Sequence, residues 1–79
     1  MVIHALFFGA TADVVGVRSR PVESDGPITA AQLIDQMVLE YPALRRHKLL
    51  FSVNQEYVSD DVTLNDGDEV GIFTAVSGG

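Results

Sequence analysis

Apolar residues recur along the chain at two spacings, and each spacing predicts a different element. Between residues 30 and 41 the spacing is that of one helix face, formed by Ala30, Leu33, Ile34, Met37, Val38 and Tyr41. Thr29 and Gln32 fit a capping box, in which each side chain satisfies a backbone N–H of the first turn. Pro42 cannot supply the next helical hydrogen bond. The pattern therefore predicts one amphipathic helix over residues 30–41.

Short apolar segments bounded by turn residues predict the strands. They cover residues 2–8, 17–23, 49–53, 56–58 and 69–74, with Asn54-Gln55 as a tight turn and one or two helical turns at 11–15. The order is strand, strand, helix and strands again. This order predicts an α+β domain, in which a mixed sheet of about five strands packs on one main helix.

The last strand presents an aromatic side chain on the face that the helix leaves uncovered. Side chains alternate along a strand, so Val70 and Ile72 share one face and Phe73 lies on the other. Val70 and Ile72 suit contact with the helix. An exposed Phe73 suits a partner interface. The alternative is that Phe73 closes a second small cluster within the same domain.

Composition excludes several classes of protein. The chain has 79 residues, enough for one small domain, and 47% are hydrophobic, but no apolar run approaches the roughly 18 residues of a membrane span. A net charge of -6 has the wrong sign for binding a nucleic-acid backbone. The absence of cysteine excludes disulfides, thiolate metal sites and a cysteine nucleophile. Because residues 1–4 lack a signal-peptide pattern, we expect a cytoplasmic location.

The usual catalytic constellations are weak. His4 and His47 lie far apart in the sequence, and no close His, Asp and Glu spacing indicates a metal site. The adjacent carboxylates Asp60 and Asp61 fall in a turn, where neighbouring side chains usually point apart. We therefore expect neither a self-contained enzyme nor a stably bound cofactor or metal.

A basic segment and the C-terminal residues remain to be explained. The segment holds Arg45, Arg46 and Lys48, and it is either a solvated loop or an electrostatic contact with a partner. The chain ends in Gly78-Gly79, a pair that arises at a terminus by chance in roughly one chain in 200. Glycine can enter a narrow channel, and residues 74–79 can extend about 20 Å. The α-carboxylate would have to be activated, for example as an acyl-adenylate, before an amine or a sulfur nucleophile captured it. The plain alternatives are an unstructured end or leftover expression sequence.

Four segments carry a resemblance to a known family. They are Leu6-Phe7-Phe8-Gly9, Val53-Asn54-Gln55-Glu56-Tyr57-Val58, Leu64-Asn65-Asp66-Gly67-Asp68-Glu69-Val70 and Val76-Ser77-Gly78-Gly79. In order and spacing the chain resembles the sulfur-carrying small subunits of molybdopterin synthase, which belong to the ubiquitin-like β-grasp proteins. The likeness covers essentially all 79 residues, as a single domain with a tail at about 74–79.

The resemblance implies a cycle with three partners. An adenylating enzyme would use ATP to join AMP to the carboxylate of Gly79, and a sulfurtransferase or other sulfur source would convert the adenylate to a thiocarboxylate. The large catalytic subunit, in a heterotetramer with two copies of each subunit, would pass the sulfur to cyclic pyranopterin monophosphate to form the molybdopterin dithiolene. The present chain would be the non-catalytic subunit of that sulfurtransferase complex.

The resemblance also assigns roles to individual residues. Gly79 carries the reactive group, Gly78 is the threading glycine, and Val76 and Ser77 belong to the tail that partners bind. Phe7 and Phe73 fall on aromatic positions that face partners. Tails of the family commonly contain proline where this chain has Thr74-Ala75-Val76, so this tail is expected to be less stiff.

Three other functions stay open. Thiamine-pathway sulfur carriers share the tail chemistry, but they are usually shorter and lack a helical segment like residues 11–15. A ubiquitin-like modifier would form isopeptide bonds through Gly79. A plain interaction domain would make no chemical use of its terminal glycines.

Overall fold

The computed structural model describes residues 1–74, which form five strands, two α-helices and one 3-10 helix. In chain order these are β1 (Val2–Phe7), α1 (Ala10–Val15), β2 (Ser19–Glu23), α2 (Ala30–Glu40), the 3-10 helix (Pro42–Arg46), β3 (Leu49–Val53), β4 (Glu56–Tyr57) and β5 (Glu69–Thr74). None of the described helices is long and apolar enough to cross a membrane.

The strands form one mixed sheet in the order β2-β1-β5-β3-β4. Its two central strands, β1 and β5, run parallel, and Phe7 pairs with Ile72. Every other pairing is antiparallel, including that of β3 with β5, in which Leu49 pairs with Thr74. The predicted mixed sheet of about five strands on one main helix is confirmed.

Helix α2 covers one face of this sheet and forms the core with it. Ala30, Leu33 and Met37 are fully buried on α2. Their counterparts on the sheet alternate along each strand and comprise Ile3, Ala5, Phe7, Val22, Val70 and Ile72. The helix begins as predicted, because the hydroxyl of Thr29 accepts from the Gln32 N–H at 3.2 Å and the Thr29 N–H donates to Gln32 Oε1 at 2.8 Å.

The chain beyond α2 differs from the prediction. The helix ends at Glu40, and Pro42 begins a 3-10 helix where the sequence suggested a loop. Proline is compatible with a first helical turn because its missing N–H is not needed there. Leu44, on this short helix, is completely buried and fixes it against the core. The turn at Asn54 and Gln55 is confirmed, with φ of 49° and 71°, the left-handed region that a type I′ hairpin turn requires.

A buried threonine ties α1 to the sheet. The side-chain oxygen of Thr11 lies 2.8 Å from the Phe8 carbonyl oxygen and 2.7 Å from that of Ile72, and it accepts a hydrogen bond from the Phe8 N–H at 3.0 Å. One hydroxyl proton serves either carbonyl. Thr11 is fully buried, so it joins the end of β1 to the end of β5 without help from solvent.

Thr11→Val tests this connection. We expect it to lower the free energy of unfolding by about 1–3 kcal/mol, because the hydroxyl's accepted and donated hydrogen bonds, each worth about 0.5–1.5 kcal/mol, are lost, although the Phe8 N–H and the Ile72 carbonyl keep their 3.1 Å bond to each other. The control Thr11→Ser keeps the hydroxyl and is expected to lose about 0.8 kcal/mol, the contribution of one buried methyl group. Urea unfolding of the three proteins measures the difference. A Val variant as stable as the Ser variant would show that the hydroxyl is dispensable.

Candidate functional site

The sheet face opposite α2 carries a group of large apolar side chains. We call this surface the open face and define it by Leu6, Phe8, Leu50, Tyr57 and Phe73. Phe8, Leu50 and Tyr57 are 52%, 37% and 78% exposed, respectively. Adjacent exposed apolar groups of this size mark a surface that another molecule covers.

Phe8 lies on the open face because the neighbouring strand has a glycine there. A Cβ atom placed on Gly71 would approach Phe8 Cε2 to 3.0 Å and Ser52 Oγ to 2.8 Å. The absence of a side chain at Gly71 therefore gives the Phe8 ring its position over β5. The glycine at this point of the central strand serves a close approach rather than a turn.

Phe73 lies on the same face, as the alternation in β5 predicted. Val70 and Ile72 are buried toward α2, whereas Phe73 is half-buried. Its ring meets that of Tyr57 edge to face, with 5.7 Å between the centroids and an interplanar angle of 73°. Phe73 thus has a neighbour within the domain and still offers surface for contact. Its role in binding a partner stays a prediction.

These aromatic rings line a shallow groove. Its volume is about 410 Å³, and its lining is formed by Phe8, Gly9, Ala10, Tyr57, Phe73 and Thr74. Thr74 is the last residue of β5, so the groove adjoins the point where the C-terminal tail begins. A molecule that covers the open face therefore also covers Thr74, the last described residue.

The expectation that Phe7 faces a partner is wrong. Its side chain is only 2% exposed and belongs to the core beneath α2. There it contacts Tyr41 edge to face, with ring centroids 6.3 Å apart. Alternation in β1 places Phe7 with the buried Ile3 and Ala5, which leaves Phe8 on the open face.

The other sequence candidates do not form a reaction centre within residues 1–74. His4 is exposed on β1, whereas His47 is half-buried beyond the 3-10 helix. No three His, Asp or Glu side chains of these residues are grouped so as to hold a metal ion. Asp61 accepts a hydrogen bond from the Ser59 hydroxyl at 2.5 Å, and both it and Asp60 are exposed. The predicted tail sites Val76, Ser77, Gly78 and Gly79 lie outside the described residues.

Comparison with known proteins identifies the family. The ThiS family matches over residues 5–79. This protein belongs to the ThiS family. Its fold is the expected ubiquitin-like β-grasp, which SAMP1 from Haloferax volcanii shares: the two are 28% identical with a TM-score of 0.86, over 100% of each chain.

Two further proteins resemble this chain, one in sequence and one in fold. The molybdopterin synthase sulfur carrier subunit of Escherichia coli K12 is 41% identical, over 98% of this chain and 99% of its own. A chain from the protein–protein complex of subunits 1 and 2 of molybdopterin-converting factor from Helicobacter pylori is 17% identical with a TM-score of 0.69, over 100% of both chains. At that identity the likeness shows the fold alone; the complex with a second subunit is a property of the Helicobacter pylori protein.

Paired leucine substitutions test which phenylalanine is in the core. Phe7→Leu is expected to lower the free energy of unfolding by about 1–2 kcal/mol, because it leaves a cavity against α2. Phe8→Leu is expected to lower it by less than about 0.5 kcal/mol, since half of that side chain already contacts solvent. Urea unfolding provides both values. Equal losses, or a larger loss at Phe8, would contradict the assignment of faces.

Proposed function

We propose that this protein is the sulfur carrier subunit of a molybdopterin synthase. The observation that carries the proposal is the 41% identity to the Escherichia coli sulfur carrier subunit over nearly the whole of both chains. The family match supports it, because the matched region includes Ser77-Gly78-Gly79. Helix α1 also favours this branch over the thiamine-pathway carriers, which usually lack such a segment.

The proposed chemistry takes place on the carboxyl group of Gly79. A carboxylate is a poor acyl donor, so an adenylating enzyme first transfers AMP from ATP to it and releases pyrophosphate. A sulfur nucleophile, supplied by a sulfurtransferase or other sulfur source, then displaces AMP and leaves a thiocarboxylate. This sulfur attacks a carbon of the pyranopterin precursor and displaces an oxygen substituent from it. Hydrolysis of the acyl–sulfur bond then leaves the sulfur on the precursor and restores the carboxylate. We expect this cycle to run in the cytoplasm.

The described residues supply docking and positioning. Phe8 and Phe73 anchor the open face on the large catalytic subunit, with Tyr57 holding the Phe73 ring. Strand β5 lies at the sheet centre, where pairing on both sides fixes the origin of the tail. From there residues 74–79 span at most about 20 Å, enough to enter a neighbouring active site. Because each product needs two sulfur atoms, we propose a heterotetramer with two carriers.

A protein modifier is the second candidate function. SAMP1 from Haloferax volcanii is named a small archaeal modifier protein, and its similarity extends over the whole chain. Both functions begin with activation of the terminal carboxylate. They differ in the nucleophile that finally captures the activated acyl group: a sulfur nucleophile displaces AMP and leaves a thiocarboxylate, whereas in a modifier a lysine amine takes the acyl group and forms an isopeptide bond.

Intact-mass measurement distinguishes these functions. The protein is incubated with ATP, an adenylating enzyme that activates the Escherichia coli relative, and a sulfur source. We expect a product heavier by the difference between sulfur and oxygen, and none from a control lacking Gly79, which leaves residues 1–74 intact. An unchanged mass, while the Escherichia coli relative is converted in parallel, would overturn the proposal. Isopeptide conjugates in place of the thiocarboxylate product would favour the modifier function.

A further inference from the structure

Charge is segregated along the chain. Residues 42–55 contain three of the five basic residues, Arg45, Arg46 and Lys48, and no acidic residue. Residues 56–69 contain six of the eleven acidic residues and no basic residue. A net charge of -6 conceals this separation.

The fold places Arg45, Arg46 and Lys48 at one end of the sheet and the acidic turn at 65–68 at the other, because β3 runs from the first end to the second. The basic segment directly precedes Leu49, which pairs with Thr74, so it lies where β5 ends and the tail begins. The acidic turn at 65–68 lies at the start of β1, where Asp66 Oδ1 accepts from the Val2 N–H at 2.7 Å and the His4 N–H donates to the Asp68 carbonyl at 2.9 Å. The six residues of β5 separate the ends by about 20 Å. That is roughly twice the Debye length at 0.1 M salt, so a partner senses the ends separately.

The basic side chains at the tail end have no structural partner among residues 1–74. The ion pair described in this part of the chain joins Arg20 to Glu40, and the Arg20 guanidinium also lies 5.9 Å from the centre of the Tyr41 ring. By contrast, Arg45, Arg46 and Lys48 are exposed. Burial of Leu44 fixes the short helix that carries the two arginines. Three like charges held together repel one another, so their arrangement does not serve the stability of the isolated domain.

A basic patch at a fixed position on an acidic protein orients that protein as it approaches a charged partner. An acidic partner surface repels the far end of the sheet and attracts the tail end, so the carrier approaches with its tail forward. Such complementarity acts mainly on the association rate and weakens as salt rises. It therefore suits a partner that must be met and left in every cycle.

We propose that Arg45, Arg46 and Lys48 form a tail-end basic surface that steers this protein to an acidic rim around the tail-accepting cleft of the acyl-adenylating enzyme. The inference rests on the proposed function, because that function requires the tail to enter such a cleft. We assign this surface to the adenylating enzyme because the proposed docking on the large subunit already uses the apolar open face.

The test measures kcat/KM for pyrophosphate release as a function of carrier concentration and salt. In the variant Arg45→Gln/Arg46→Gln/Lys48→Gln we expect kcat/KM to fall about tenfold at 0.02 M salt, within the range that electrostatic steering contributes. We expect kcat to stay unchanged and the difference to shrink below about twofold at 0.5 M salt, because screening removes steering. The control Arg45→Lys/Arg46→Lys keeps the charges and is expected to keep the wild-type rate.

Two single-charge variants distinguish the effect of where a charge lies from the effect of the protein's net charge. Arg46→Gln and Gln55→Glu each make the protein more negative by one charge, but Gln55 lies in the turn at the far end of the sheet. At 0.1 M salt, where the Debye length of about 10 Å is half the distance between the two ends, we expect kcat/KM to fall about twofold for Arg46→Gln and to stay within measurement error for Gln55→Glu. Circular dichroism and thermal melting verify that every variant is folded.

Several outcomes would overturn the inference. These are a triple variant with wild-type kcat/KM at low salt, an equal loss for Gln55→Glu, or an equal slowing of association with the large subunit. Failure of the proposed function is distinguishable from these outcomes. If wild-type protein releases no pyrophosphate with an enzyme that activates the Escherichia coli relative, both proposals fall, whereas normal activation without a charge effect removes only the steering role.

Discussion

The parallel pairing of β1 with β5 is the interaction on which the rest of the structure depends. It brings the first and last described strands together at the sheet centre, so Phe8 and Phe73 share one face although they come from opposite ends of the chain. Where the ladder ends, the Phe8 N–H donates to the Ile72 carbonyl at 3.1 Å and the Thr11 hydroxyl joins the same groups. Without this pairing, neither the open face nor a fixed origin for the tail would exist.

One face of the sheet stabilises the domain, and the other is available for contact with a partner. On one face, α2 buries the apolar side chains that give this small domain its core. On the other, Gly71 leaves space for Phe8, and Tyr57 supports Phe73. A carrier needs no catalytic cavity of its own, because its partners supply the reaction centres. It needs a surface to dock and an end to react, and Thr74, the last described residue before the tail, lines the groove on the docking surface.

Local signals were sufficient to predict much of this arrangement. The capping box at Thr29, the bounds of β5 and the face of Phe73 depend on neighbouring residues, and all three are confirmed. Neighbouring residues could not show which of Phe7 and Phe8 faces the core. Both faces of β1 are apolar, and only the packing of α2 decides which face is buried. Tyr57 was missed because β4 has two residues, too few to show alternation, and its orientation follows from pairing with Ser52. Pro42 correctly indicated that α2 ends. The 3-10 helix that follows depends on the burial of Leu44 against the core, a tertiary contact that the local sequence does not reveal.

Nuclear magnetic resonance tests whether the carrier docks through the open face. Isotope-labelled protein is titrated with the unlabelled large subunit of molybdopterin synthase, and the perturbation of each backbone amide is recorded. We expect the largest changes at Phe8, Gly71, Phe73 and Tyr57, with little change on the exposed side of α2 around Asp35 and Leu39. Changes centred on α2, with the open face unaffected, would contradict docking through the open face.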